Sequence, residues 1–199
     1  MVLYGASGHC RVVIDIVEAL GLPIDFIVDD NPDIKSLLGY EVRRNEGVYD
    51  DCIITIGQNR VRKRIFEHIK ASHYISVIHP SAIVSPRAEI GNGVVVMQGA
   101  IIQSCAKIGD HCIVNTGATI GHDVKVGNFV HVASHATITG GVTIDEGTWI
   151  GAGAVVKQGV HIGSWTMIGA GSVVVDDIPD GVVAFGNKCV VKHLNEFRL

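Results

Sequence analysis

His122 and Asp123 are adjacent in this 199-residue chain, and they are the side chains best suited to moving a proton. A neighbouring carboxylate raises the basicity of an imidazole and holds it on one tautomer, which frees the other nitrogen to act as a general base. His131 and His135 offer a rival chemistry, since neutral imidazoles suit zinc. They differ in phase within the repeat described below and so point differently, and no metal is expected. The loop Gly5-Ala6-Ser7-Gly8-His9 joins a short apolar strand to a helix. There the backbone N–H groups and the helix dipole favour an anion, with Ser7 and His9 as further donors. The loop lacks the G-x-G-x-x-G spacing of a dinucleotide site. Asp29 and Asp30 end the next strand, where acidic groups accept from ribose or base donors. The plain alternative is that Ser7 caps the helix and the two aspartates make a turn.

A strict six-residue repeat must position the His-Asp pair. Aliphatic residues recur at every sixth place from Val84 to Val174, with a small or β-branched residue four places after each, and Gly often follows directly, as in Ile120-Gly121 and Ile150-Gly151. Neither a helical period nor strand alternation gives this pattern. A left-handed parallel β-helix does, with one hexad per flat side of a triangular coil roughly 25 Å tall. The aliphatic residue points to the axis, and Gly or Asn supplies corner dihedrals that bulkier residues resist. His122-Asp123 then falls at an exposed corner. Positions eighteen apart stack, which puts Gly140 over His122 and Ala152 over Ala170, each alanine in an Ile-Gly-Ala-Gly corner. Such small residues leave room for a long thin ligand against exposed backbone.

Residues 1–78 follow another grammar, expected to be an α/β, Rossmann-like domain. Its expected elements are strands over 1–4, 24–28, 52–56 and 74–78 and helices after Ser7 and over the basic segment 59–71. Residues 79–180 form the β-helix domain, and residues 181–199 a tail that caps the prism or packs on a neighbour. A formal charge of −4 gives no basic field for nucleic acid, and no apolar run is long enough to span a membrane. The opening Met-Val-Leu-Tyr-Gly has no basic n-region, so no signal peptide is expected. Cys10, Cys52, Cys105, Cys112 and Cys189 form no C-x-x-C pair and read as reduced thiols of a cytoplasmic protein, with Cys105 and Cys112 as small core residues.

Taken together these residues resemble the sugar acyltransferases of the PglD/NeuD type. The resemblance rests on Tyr4–His9, Asp29-Asp30, Ile56–Asn59, Ile78–Ala82, Asn115-Thr116, His122-Asp123 and Phe129–Val132. It implies transfer of acetyl from acetyl-CoA to a nucleotide-linked amino sugar. It further implies His122 as general base beside Asp123, and Ser7, Gly8, His9, Asp29, Asp30 and Gly57 as nucleotide-sugar contacts. His131, Ala152 and Ala170 then fall where the family contacts acetyl-CoA, and Asn115 lies near without an assigned role. It also implies a homotrimer, with His122 and the acetyl-CoA contacts drawn from different subunits. An N–H from the backbone or from His131 would stabilise the oxyanion. No Cys or Ser has a base at recognisable spacing, so direct transfer is expected. Two alternatives stay open: O-acetylation of a sialic-acid-like sugar, and a non-catalytic β-helix that binds a nucleotide-sugar. Asp123 stands where some members have Glu, and Gly186-Asn187-Lys188 lacks the Pro many carry after Gly-Asn.

Overall fold

The computed structural model describes residues 1–195; the last four residues of the expected tail lie outside them. The first unit runs β1 (Val2–Tyr4), α1 (Gly8–Ala19), β2 (Phe26–Val28), β3 (Ser36–Leu37), β4 (Tyr40–Arg43), β5 (Val48–Ile54), α2 (Asn59–His68) and β6 (Lys70–Tyr74). Its six strands lie in the order β3-β4-β2-β1-β5-β6, parallel except for the β3–β4 hairpin. Leu3, Ile27 and Ile53 are fully buried at its centre, because a parallel sheet covered by helices needs near-continuous apolar strands. Ser7 sits at the N-cap of α1 with extended backbone, as its type favours, yet its hydroxyl makes no capping bond. Gly21 closes the helix at φ +65°, with its N–H donating to the Glu18 carbonyl.

Three local expectations change. The β3–β4 hairpin has only a two-residue strand on one side, too short to register as alternation. Helix α2 stops at His68, because residues 70–74 are drawn into β6 along the free edge of β5. The expected strand over 74–78 therefore divides: its start belongs to β6, and Val77–Ile78 joins the prism by pairing with Val95–Val96.

The second unit is a parallel β-helix of two-residue strands, each paired with the strand eighteen residues away, as in Ile101↔Thr119 and Lys107↔Lys125. The first face carries Val77–Ile78, Val95–Val96, Ile113–Val114, His131–Val132, Trp149–Ile150 and Met167–Ile168. The second runs from Ile83–Val84 to Val173–Val174, and the third from Glu89–Ile90 to His161–Ile162. One aliphatic column per face fills the axis; Ile120, Ile138, Val156 and Ile168 are all wholly buried. At the far end Val182–Phe185 pairs with Met167–Ile168 and then with Val190–Leu194. Val182, Ala184 and Cys189 thereby join the prism core.

Every sixth residue from Gly93 to Gly171 has positive φ, so each corner turns through the left-handed region. Most of these residues are Gly, as the steric cost requires. Six are not: Cys105, His111, Asp123, Phe129, His135 and Trp165. Bulky corner residues survive where a Gly one coil away yields space. A Cβ on Gly93 would collide with the His111 ring, and one on Gly117 would lie 2.5 Å from the His135 ring. Cys105 is thus an exposed corner residue rather than a core one, whereas Cys112 is buried as expected. Cys10, Cys52 and Cys189 are buried, and burial pushes the Cys52 and Cys112 thiols up to about 12.

The two glycines of one corner separate two kinds of constraint. A Cβ on Gly151 would lie 2.5 Å from the Ala170 backbone nitrogen in the next coil, a contact no side-chain motion relieves. A Cβ on Gly153 meets nothing within 4 Å but stands at φ +65°, which costs about 1–2 kcal/mol. Urea unfolding is expected to show Gly151→Ala as the more damaging substitution. Equal losses would mean that the coils are not in this register.

Candidate active site

The first face of the prism carries the first unit, and the junction between them is built on one buried cation. Arg62 in α2 is 1% exposed. Its Nε donates to the His111 carbonyl at 2.8 Å and its Nη1 to the Ile56 and Gly57 carbonyls at 2.9 and 3.0 Å. Its Nη2 donates to the Phe129 carbonyl and to Asn59 Oδ1, each at 2.9 Å. Carbonyls and an amide satisfy the whole guanidinium, so burial is balanced by dipoles and its pKa falls only to about 10. Asn59 adds bonds to the Gly147 and Thr148 carbonyls, both 3.1 Å. His111, Phe129 and Phe66 close around this tie, with His111 and Phe129 stacked at 5.1 Å. Sequence reasoning missed Arg62, since nothing in a basic helix marks which cation turns inward.

The tie fixes the loop after β5, and that loop covers His131. Gly57 O accepts from His131 Nδ1 at 3.3 Å, and Asn115 Nδ2 donates to His131 Nε2 at 3.0 Å. Asn115 is oriented in turn by the Thr116 N–H and the Ser134 hydroxyl, both of which its Oδ1 accepts. This contact favours the His131 tautomer that carries its proton on Nδ1. His131 is buried against Trp149, and its one N–H is engaged by the Gly57 carbonyl. His9 reaches the same place, its ring 6.5 Å from that of His131, and its Nε2 is buried without a partner among the described residues. Burial first, then the Arg62 charge, lowers His9 to about 4 and His131 to about 3. His135 stands exposed at a corner, away from this junction. Among the described residues no three His, Cys, Asp or Glu side chains converge on a metal position.

Around the rim of the first unit the expected binding residues lie at the carboxyl ends of β1, β2 and β5, where ligands bind in open α/β sheets. Ser7 and Gly8 are exposed at the start of α1, and no heavy atom stands within 4 Å of a Cβ on Gly8. Asp29 is committed to the chain itself: its Oδ2 accepts from the Ala6 N–H at 2.7 Å and its Oδ1 from the Asn31 N–H at 2.8 Å. It holds the Ser7 loop in place. Asp30 accepts the Tyr4 hydroxyl at 3.1 Å and otherwise faces solvent, so it is the carboxylate open to a ligand.

His122 and Asp123 sit at the corner between the second and third faces, the vertex opposite the face that carries the first unit. Both are exposed, and His122 Nδ1 lies 2.8 Å from Asp123 Oδ2. With Asp123 accepting from Nδ1–H, Nε2 carries the lone pair. Asp123 holds φ +59°, so the corner turn itself aims its carboxylate back at the ring. The ring lies over Gly140, where a Cβ would stand 2.5 Å from Nε2. Ala152 and Ala170 are exposed on a different corner, between the first and second faces. Within one chain, then, the structure gathers His9, Gly57, Asn115 and His131 on the first face but leaves His122 on the opposite vertex of the coil.

Comparison with known proteins meets this geometry from both ends. Residues 1–69 match the PglD N-terminal domain, and residues 105–140 and 141–176 match the bacterial transferase hexapeptide family (six repeats). The chain is 37% identical to PerB from Caulobacter crescentus, solved in complex with CoA and GDP-perosamine. That match has a TM-score of 0.88 and covers 96% of each chain. It is 35% identical to the acetyltransferase domain of PglB from Neisseria gonorrhoeae FA1090, with a TM-score of 0.87 over 97% of this chain and 98% of that one. Among curated proteins, 47 residues are 48% identical to a UDP-N-acetylbacillosamine N-acetyltransferase of Bacillus subtilis (strain 168). That stretch is 23% of this chain and 22% of the relative, and a second match spans 19% of its own relative, so each covers about one fifth of the curated protein.

His9, His111 and His131 are all neutral in the fold at pH values where the unfolded chain binds their protons. Stability is therefore complete above about pH 6.5 and falls as the pH drops toward 4, by about 1.4 kcal/mol per unit for each ring. Urea midpoints should drop between pH 7 and pH 5, with a shallower drop in His111→Asn, whose side chain tolerates the same backbone. Midpoints independent of pH over that range would contradict burial of the neutral rings.

Proposed function

The chain belongs to the PglD/NeuD-type hexapeptide-repeat sugar acetyltransferases, and on that premise we propose that it carries acetyl from acetyl-CoA to the amine of a nucleotide-linked amino sugar. The observation that carries this reading is the His122–Asp123 pair: an exposed imidazole with one nitrogen bonded to a carboxylate and the other free above a glycine. The relatives solved with CoA, GDP-perosamine or acetyl coenzyme A support the same pair of substrates.

The nucleotide lies along the exposed Ser7-Gly8 loop and Asp30, and the sugar reaches toward the junction at His9 and Asn115. Acetyl-CoA lies along the Ala152–Ala170 corner, where alanines and glycines leave the backbone open. The amine enters as the free base and attacks the thioester carbonyl. His122 Nε2 takes the proton released as the C–N bond forms, and Asp123 stabilises the resulting imidazolium. Backbone N–H groups hold the oxyanion. Collapse expels the CoA thiolate, which leaves as the thiol with the proton His122 took. No acyl-enzyme forms, in keeping with the buried, high-pKa thiols of Cys52 and Cys112.

Because His122 stands opposite the first unit, one chain does not complete this site. The outward residues of the second face are Ile83, Ile101, Thr119, Thr137, Val155 and Val173, without one charge, whereas the third face presents Glu89, Lys107, Lys125 and His161. The uncharged face runs between the His122 corner and the Ala152 corner. Packing three copies on that face brings one copy's His122 to the Ala152 corner and first unit of the next, which supports a homotrimer. Among the described residues no helix is long and apolar enough to cross a membrane.

Thioester cleavage followed with a thiol reagent, with acetyl-CoA and a panel of UDP-, dTDP- and GDP-linked amino sugars, tests the reading; silence across the panel would refute it. His122→Ala is expected to lower kcat by about 10² or more with the fold intact. Gly140→Ala places a methyl against Nε2 and is expected to cost about 10²-fold in kcat by displacing the ring, without change in thermal stability. Near-normal turnover in either variant would remove His122 as the base.

A further inference from the structure

Helix α2 carries four cations within five positions, Arg60, Arg62, Lys63 and Arg64, and the reaction above uses none of the three that face outward. They border the prism corner formed by Gly147 and Trp165. A cavity of about 150 Å³ opens there, walled by Trp149, Trp165 and Met167 and rimmed by Gln58, Arg60 and Asn195. It shares Arg60 and Trp165 with an open groove of about 450 Å³, where Lys63, Arg64 and His68 outnumber the single acid, Glu67. This corner is neither the one that bears His122 nor the one that bears Ala152.

The cavity has the marks of a built site. Trp165 holds φ +55°, a region that bulky side chains avoid, and its ring is admitted only because Gly147 beneath it has no Cβ. The Arg60 guanidinium stands 4.7 Å over the Trp165 ring. Lys63 is also near that ring but is paired with Glu146 at 2.5 Å, whereas Arg60 has no carboxylate partner among the described ion pairs. Asn195 donates its Nδ2 to the Trp165 carbonyl at 2.8 Å, and its Oδ1 is buried without a partner among the described residues. A flat apolar wall, an acceptor and a cation that both lack a partner among the described residues therefore converge on one space. An apolar cavity of about this volume admits a single aromatic ring.

We infer that this cavity is a second ligand site, for a phosphorylated nucleoside bound outside the reaction site. The base stacks against the indoles and donates an N–H to Asn195 Oδ1, and the phosphates leave along the groove toward Arg60 and Arg64. The inference does not depend on the proposed acetyl transfer.

Trp149 and Trp165 are the only tryptophans in the chain. Trp149 also touches His131 of the reaction site, so the part of the fluorescence change that is lost in Trp165→Gly and reduced in Arg60→Gln reports on this space. The full-length protein is titrated with ADP, GDP and UDP and with the matching nucleosides, by fluorescence and by calorimetry. At least one nucleotide is expected to quench and to add a class of sites that Trp165→Gly abolishes and Arg60→Gln weakens about tenfold. The matching nucleoside should bind about tenfold more weakly, and acetyl transfer by both variants should stay within about twofold of normal. Glycine suits the Trp165 backbone; if that variant does not fold, Arg60→Gln decides alone. No quenching by any of the three, or quenching unchanged in Arg60→Gln, overturns the site. Loss of acetyl transfer in the unsubstituted protein while quenching persists would refute the proposed function and leave this site standing.

Discussion

The eighteen-residue turn is the constraint from which the rest of this molecule follows. Each strand pairs with the one a full coil away, so every residue belongs to one face or one corner for the whole length of the prism. A side chain cannot drift to a neighbouring corner without breaking three columns of backbone hydrogen bonds. This rigidity gives His122 its fixed aim, with Gly140 and Asp123 supplied by the same geometry. It also forbids His122 from ever meeting the first unit of its own chain. A reaction that needs both must be assembled from more than one copy, a common use of closed symmetry.

Arg62 sets the other half of the geometry. A buried guanidinium is tolerated only when its donors are all satisfied, and here the partners come from both units at once. Breaking it would leave the Ile56, Gly57, His111 and Phe129 carbonyls short of a donor together. Burial and then the same charge keep His9 and His131 neutral, so the junction between the two units carries no imidazolium. Packing and electrostatics thus act through one residue: the bond that docks the two units also sets the protonation of the rings between them.

The prism could be read directly from the chain because a six-residue period has one structural solution and each hexad must fill one slot on the axis. The His-Asp pair was equally readable, since its phase puts it on a rim. What escaped was anything that depends on which way a surface-type residue turns. Arg62 is one of four cations in α2, and only the carbonyls of a distant corner turn it inward. His131 occupies an outward position in its strand, yet the first unit covers it. Asp29 also anchors the Ser7 loop, a role fixed by a backbone N–H that no motif advertises. Aromatic residues at left-handed corners, such as Phe129 and Trp165, run against local preference and are explained only by a glycine in the adjacent coil or a neighbour in α2.

Co-expression of two inactive chains tests the shared site most directly. One carries His122→Ala, which removes the proposed base from the corner between the second and third faces. The other carries Ala152→Glu, which would block the proposed acetyl-CoA contact at the corner between the first and second faces. If each site takes its base from one copy and its acetyl-CoA contacts from the next, random trimers recover about one quarter of the normal sites. Activity of the mixture no higher than that of either variant alone would contradict a site built across copies.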